Sequence, residues 1–274
     1  MLEHVASRIP KRVRSKIRRL VDPEYRARQN ELRRLRQHPR RTPTTTDLLR
    51  APTHLVDAAS FLSAYRAIFE TEIYAFEPDH NVPKIIDGGA NIGLATLYWK
   101  RNFPSAQITA FEPDPEIFDV LKKNLKERGY DNVELIQKGL WSETTTLQFE
   151  PDGADGGQVK DEAPEEGGDV QKIPVTRLKP YLNDRIDLLK LDIEGAETEV
   201  LNDAAEHLRS VQHLFVEYHS YVGEEQRVDE ILHVLRRAGF RIHVQPELVA
   251  DRPFLQRMES YGMDHRLNIF AFRN

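Results

Sequence analysis

The chain has 274 residues, 30% of them charged and 39% hydrophobic, and a formal net charge of −5. It holds no cysteine, which excludes a disulfide framework and thiolate chemistry and leaves any metal site to His and carboxylates. No apolar run reaches the roughly 20 residues needed to span a bilayer, and the N-terminus lacks the apolar core of a secretory signal, so a soluble, cytoplasmic protein is expected.

The charge is unevenly placed. Residues 1–50 hold 15 Lys+Arg against 5 Asp+Glu, a net of +10, so the remainder carries −15. This split predicts a basic helical arm and linker over 1–50 and an acidic folded domain over 51–274. Within the arm, Leu2, Val5, Ile9, Val13, Ile17 and Leu20 recur at helical steps, with Pro10 as a start or kink, and "RARQNELRRLRQH" continues the pattern. Such a helix can pack on its own domain, pair two chains in a homodimer, or lie on anionic lipid at the inner membrane surface. Nucleic acid is not expected, because aromatics for base stacking are nearly absent.

"RRTPTTTDLLRAPTH" reads as a linker. Helical spacing returns over 58–74. Strands are then expected at "KIID", "QITAFE", "VELIQ", "DLLKLD", "HLFVEY", "FRIHV" and "LNIFAF", with helices over 94–102, 115–128, 197–208 and 224–238. The alternation predicts an α/β fold with a doubly wound, mainly parallel sheet, helices on both faces, and ligands beyond the carboxyl ends of the strands. Residues 150–169, with 8 acidic residues and five Gly, read as a flexible acidic insert.

"IIDGGANIG" follows the first strand of this series. Gly88 and Gly89 allow a tight turn and close backbone approach to a ligand, and Gly93 allows the next helix to pack close to the strand. The spacing is not G-x-G-x-x-G and no G-K-[ST] follows, which disfavours dinucleotides and P-loop chemistry. Glu112, at the end of the second strand, suits a ribose diol, and Asp87 suits a cationic amino-acid end. A ligand with a ribose, an ammonium and no phosphate fits this pair; S-adenosylmethionine is such a molecule. Ala90, Asn91 and Pro113 belong to the same two turns. Gly139 and Leu140, in "QKGLWSE", are expected at its adenine.

"KLDIEGAE" and "FVEYHSY" supply the reactive side chains. Asp192 at a strand tip can orient the ligand or an acceptor hydroxyl, and Glu194 can hold substrate hydroxyls. Glu197 reads as a helix cap. Glu217 and His219 lie two residues apart on one side of a strand, so His219 is the expected general base and Glu217 its orienter or a substrate ligand. Tyr221 is a candidate stacking surface for a sugar. Asp192, Glu194, Glu217 and His219 would also suit Mg²⁺, Mn²⁺ or Ca²⁺, although no metal is expected.

"IIDGGANIGLATLYW", "AFEPDPEIFDVLKKNL", "IPVTRLKPYL", "LLKLDIEGAETEVL" and "VEYHSY" resemble the FkbM family of S-adenosylmethionine-dependent methyltransferases, over roughly residues 70–245. Gly88 stands where many members have Val, which should only loosen the turn. The resemblance implies the class I methyltransferase sheet of seven strands with the last antiparallel. It also implies methylation of a hydroxyl, commonly on a sugar or polyketide; a glycan or glycolipid acceptor follows from the same resemblance. The alternatives are a nicotinamide oxidoreductase, weakened by the glycine spacing, and a non-catalytic docking module.

Overall fold

The computed structural model describes residues 22–151, 157–160, 171–256, 259–260 and 262–273. Among the described residues, three segments precede the central sheet. Helix α1 (Pro23–Arg36) starts at the N-cap Asp22, whose side chain accepts from Tyr25 N at 3.0 Å. Strands β1 (Thr44–Thr46) and β2 (Thr53–Leu55) form an antiparallel hairpin, and α2 (Ala58–Tyr65) runs into a π-helical turn over Arg66–Glu70.

The central sheet contains β3 (Lys84–Gly88), β4 (Gln107–Phe111), β5 (Glu134–Ile136), β10 (Ile186–Leu191), β11 (Val211–Tyr221), β12 (Arg241–Pro246) and β13 (Met263–Phe272) in the order β12-β13-β11-β10-β3-β4-β5. β13 is antiparallel to both neighbours, and the other pairings are parallel. The expected seven-stranded sheet with its last strand reversed is therefore present. The chain builds outward from β3 through β4 to β5, then returns to lay β10 on the other side of β3. The strand order thus switches between β3 and β10, where the carboxyl ends of neighbouring strands diverge and leave a crevice.

Two apolar layers cover the sheet. On one face α2, α3 (Leu94–Asn102) and α4 (Pro115–Lys126) bury Phe61, Trp99 and Leu121 against Ile85, Ile108 and Phe215. On the other, α5 (Glu197–Ala204) and α6 (Val228–Arg237) bury Val200, Leu201, Ile231 and Leu235 against Ile86, Leu189 and Val216. Ile85 and Ile86 point to opposite layers, which is why this strand reads as a continuous apolar run.

The structure alters several boundaries. Residues 22–50 are no separate arm: Leu32 and Leu35 are buried, and Leu35 joins the core under α2. The expected linker contains the β1–β2 hairpin, which Asn124 of α4 fastens by accepting from His54 N at 2.7 Å and donating to His54 O at 3.0 Å. Residues 1–21, with the expected helix around Pro10, lie outside the described residues. The acidic insert is not wholly a loop. β7 (Thr145–Pro151) pairs with β8 (Gly157–Lys160) and β9 (Gln171–Arg177), and β6 (Gly139–Trp141) completes a second sheet. The rest of the insert, 152–156 and 161–169, lies outside the described residues.

Candidate active site

The carboxyl ends of β3, β4, β10 and β11 open into a cavity of about 240 Å³, roofed on one side by α2. Its floor is the glycine turn. Gly89 has φ +73, and a Cβ there would stand 1.8 Å from the Asp192 carbonyl oxygen, so the two strand-end loops touch across this residue. Gly93 has φ +92 at the start of α3, and its missing Cβ makes room for Leu121 of α4, 2.6 Å away. The close packing expected of Gly93 is thus helix against helix, not helix against strand. Gly88 ends β3 below the turn, where a Cβ would meet Leu140 Cδ1 at 2.9 Å. Packing against Leu140, rather than turn flexibility, is what a larger residue there would disturb.

Glu112 lines the cavity at the end of β4. Its Oε2 accepts from Asn91 N at 2.8 Å and its Oε1 from Asp114 N at 3.0 Å. Two of about four lone-pair positions remain for a diol. Burial pushes this carboxyl up to about 7, against the opposing pull of the two N–H donors. Pro113, Gly139 and Leu140 continue the same wall.

Asp87 does not reach the cavity. It is fully buried, accepts from Thr96 Oγ1 at 2.7 Å, and faces Lys190 Nζ at 3.4 Å. Of the two carboxylates, Asp192 is the one that lines the cavity, with its side chain 26% exposed.

A second group gathers where β10 and β11 end. His219 is buried, with Nδ1 3.2 Å from Glu197 Oε1 and Nε2 3.5 Å from Glu217 Oε1 and 3.6 Å from Glu194 Oε2. Glu197 also accepts from Ile193 N and Gly195 N, both at 3.1 Å. The orienter of His219 is therefore Glu197, read from sequence as a cap, while Glu217 faces the other ring nitrogen. Burial alone would lower the proton affinity of His219. The carboxylates of Glu197 and Glu194 outweigh it and hold the imidazole well above its ordinary range. Burial pushes Glu194 up to about 8, with His219 pulling the other way. Burial and Asp192 raise Glu217. The facing carboxylates thus raise the proton affinity of this histidine above its ordinary range rather than leaving it poised there.

The family model described as the methyltransferase FkbM domain matches residues 87–242, more than half the chain. The chain belongs to the FkbM methyltransferase family. It is a methyltransferase, and its cofactor is S-adenosylmethionine. Methyltransferase sdnD of Sordaria araneosa is 31% identical over 226 residues, covering 70% of this chain and 87% of that protein. The hexuronic acid methyltransferase AglP of Haloferax volcanii is 30% identical over 143 residues, covering 50% and 56%. The 31-O-demethyl-FK506 methyltransferase FkbM of Streptomyces tacrolimicus is 25% identical over 223 residues, covering 68% and 84%. The nicotinamide and non-catalytic readings give way to this membership.

In this FkbM methyltransferase the residues present fit the cofactor. The cavity joins Glu112 at one end to Asp192 at the other, across a turn whose Gly89 leaves no room for a side chain. Glu194 and Glu217 line the far end together with Glu247 and Arg266, two residues the sequence did not single out. Arg266 Nε lies 3.4 Å from Glu217 Oε1 and Arg266 Nη2 3.1 Å from Glu247 Oε2. Tyr221 is absent from the cavity wall; its hydroxyl donates to Glu194 Oε2 at 3.3 Å, so it steadies a lining carboxylate rather than a sugar ring. Asp192, Glu194 and His219 also bring ligating atoms within 4.8 Å of one another, a donor set of the hard type weighed above. No helix among the described residues is long and apolar enough to cross a membrane.

Proposed function

We propose that this enzyme methylates a hydroxyl oxygen of a sugar-containing, glycolipid or polyketide-type acceptor. The observation that carries the reading is one cavity with the Glu112 carboxylate at one end and Glu194 and Glu217 at the other, with His219 Nε2 directly behind those two, 3.6 Å from Glu194 Oε2 and 3.5 Å from Glu217 Oε1. S-Adenosylmethionine supplies an electrophilic methyl carbon when bound; the protein must hold the acceptor in line and take its proton.

Glu112 accepts hydrogen bonds from the ribose, and Asp192 meets the ammonium. Glu194 and Glu217 accept hydrogen bonds from acceptor hydroxyls and aim one of them at the donor. The proton goes to His219 Nε2, while Glu197 fixes the ring through Nδ1. Because the carboxylates raise the proton affinity of the imidazole and acceptance needs the unprotonated ring, turnover rises with pH through a range above the ordinary one of histidine. Positive charge carried in by the donor lowers that proton affinity and favours the reactive state.

Two relatives are named for a hexuronic acid and for a 31-O position, which supports oxygen-bearing acceptors. The test is transfer from methyl-labelled donor to a panel of sugars, glycolipids and macrolides. Label held through mild alkali is an ether and fits the reading. Label released as a methyl ester, or found only on nitrogen, overturns it.

The basic charge of residues 1–50, with Arg26, Arg33 and Arg36 exposed on α1, supports peripheral contact with an anionic membrane surface at the cytoplasmic side. Sedimentation with anionic vesicles that vanishes in high salt is expected. Failure to sediment with them removes the membrane reading, and a doubled mass in solution would assign the segment to a homodimer.

A further inference from the structure

We infer that Lys190 is a positioning residue of the methyl-donor site: its ammonium fixes the glycine turn and the Asp192 carboxylate in the arrangement that receives the cofactor. Lys190 is only 3% exposed and lies one residue from the end of β10, between Leu189 and Leu191. An ammonium placed there without partners would cost far more than the fold can absorb. Its closest partners lie at the end of β3 and in the two turns that follow β3 and β10. Nζ donates to Gly88 O at 3.1 Å and to Gly89 O at 2.8 Å. It also lies 3.4 Å from Asp87 Oδ1 and 3.3 Å from Asp192 Oδ2.

An ammonium has three N–H donors. Two are spent on the backbone of the turn, and the charge faces the carboxylates of Asp87 and Asp192 on either side as ion pairs. The turn and the Asp192 loop already meet through Asp192 N donating to Gly88 O at 3.2 Å and through the bare backbone of Gly89. Lys190 braces the same junction from below. It holds the carbonyls of Gly88 and Gly89 inward and leaves one oxygen of Asp192 for the cavity. A neutral side chain of equal length would fill the space. It would leave Gly89 O without the Lys190 donor, Gly88 O with Asp192 N alone, and the Asp87 and Asp192 carboxylates without the cation they face.

Volume and charge can be separated here, because the chain has no cysteine of its own. Lys190→Cys is alkylated while unfolded and then refolded. With 2-bromoethylamine the thiolate sulfur displaces bromide; a C–S bond forms, the C–Br bond breaks, and the thiol proton goes to buffer. The side chain then ends in an ammonium at nearly lysine's length. Bromoethane gives a neutral chain that lacks the ammonium. Wild type carried through the same treatment is the control, circular dichroism reports refolding, and the probe is S-adenosylhomocysteine in a calorimetric titration. The aminoethylated protein is expected to bind close to wild type, and the ethylated one about 10- to 100-fold more weakly, the weight of a lost charged hydrogen-bond set. Equal binding by the two refolded forms overturns the inference, since filling space would then suffice. Should the ethylated form not refold, Asp87→Asn with Lys190→Met removes the buried charge together with a counter-charge. Weak binding by that folded double variant agrees with the inference, and wild-type binding by it overturns it.

Discussion

Gly89→Ala is the sharpest perturbation the geometry offers. The new Cβ would stand 1.8 Å from Asp192 O, and real contacts do not fall below 3.0 Å, so the two loops must part by about 1.2 Å. The shift acts at the junction bridged by Asp192 N to Gly88 O, at 3.2 Å, and by Lys190. A misplacement of about 1 Å at a site costs on the order of 10²-fold in rate. Separately, φ +73 is the left-handed region, where a Cβ costs roughly 1–2 kcal/mol. Losing the bridging hydrogen bond adds about 1 kcal/mol, for a total of about 2–3 kcal/mol. Gly129→Ala is the internal control: φ is +67, and nothing lies within 4 Å of the added atom, so it carries strain without collision. The assay pairs thermal unfolding with calorimetric titration of S-adenosylhomocysteine. Gly89→Ala should melt lower than Gly129→Ala and bind about 10²-fold more weakly than wild type. Gly129→Ala should lose stability alone. If Gly89→Ala binds as wild type does, the two loops do not set the cofactor site.

Three further outcomes follow from the charges. Glu112 sits near 7, so affinity for S-adenosylhomocysteine should fall as pH drops through about 7, and Glu112→Gln should bind more weakly with a flat profile; a wild-type affinity constant from pH 6 to 8 would contradict this. In Glu197→Gln, His219 loses its closest anionic partner, so the alkaline rise in turnover should move to lower pH while cofactor affinity holds; an unmoved profile would remove Glu197 as the orienter. Asp57, the buried N-cap of α2, accepts from Ser60 N, Arg41 N and Arg40 Nε, and these bonds outweigh burial and hold its carboxyl at about 2. Its folded value is depressed, so its contribution is full above the unfolded value of 3.8 and is lost as pH falls through about 2. Asp57→Ala should therefore lose about 2 kcal/mol at neutral pH in denaturant unfolding, and progressively less towards pH 2.

The parts of this protein that were readable in its sequence are those whose signal is local. β3 and β10 are apolar on both faces, and α4 announces itself by Asp114 and Pro115 at its start and by Ile117, Leu121 and Leu125 along one side. The glycine turn, Glu112, Asp192, Glu194, Glu217 and His219 stand at or near the carboxyl ends of their strands, and the structure gathers them, apart from the lower half of the turn, around one cavity, with His219 buried behind its wall. What was misread depends on distant partners. Asp87 looks like a ligand group until Lys190 and Thr96 are seen to enclose it. Glu197 has the position of a cap, and only the approach of β11 makes it the partner of His219. Glu247 and Arg266 reach the cavity because β12 and β13 pair at its rim, and nothing beside them in the chain marks them. Lys190 did leave a signal, as the one cation in the buried run "DLLKL". The β6–β9 sheet left little, since its strands are short and carry only brief alternations, Leu147 with Phe149 in β7 and Ile173 with Val175 in β9.

The most direct test of the central claim is single-turnover methyl transfer by His219→Ala with the donor bound in advance, beside calorimetric titration of S-adenosylhomocysteine. The account predicts donor-site affinity within about two-fold of wild type and transfer slower by at least about 10²-fold. Full transfer in that variant would contradict it, because the proton of the acceptor hydroxyl would then have another destination.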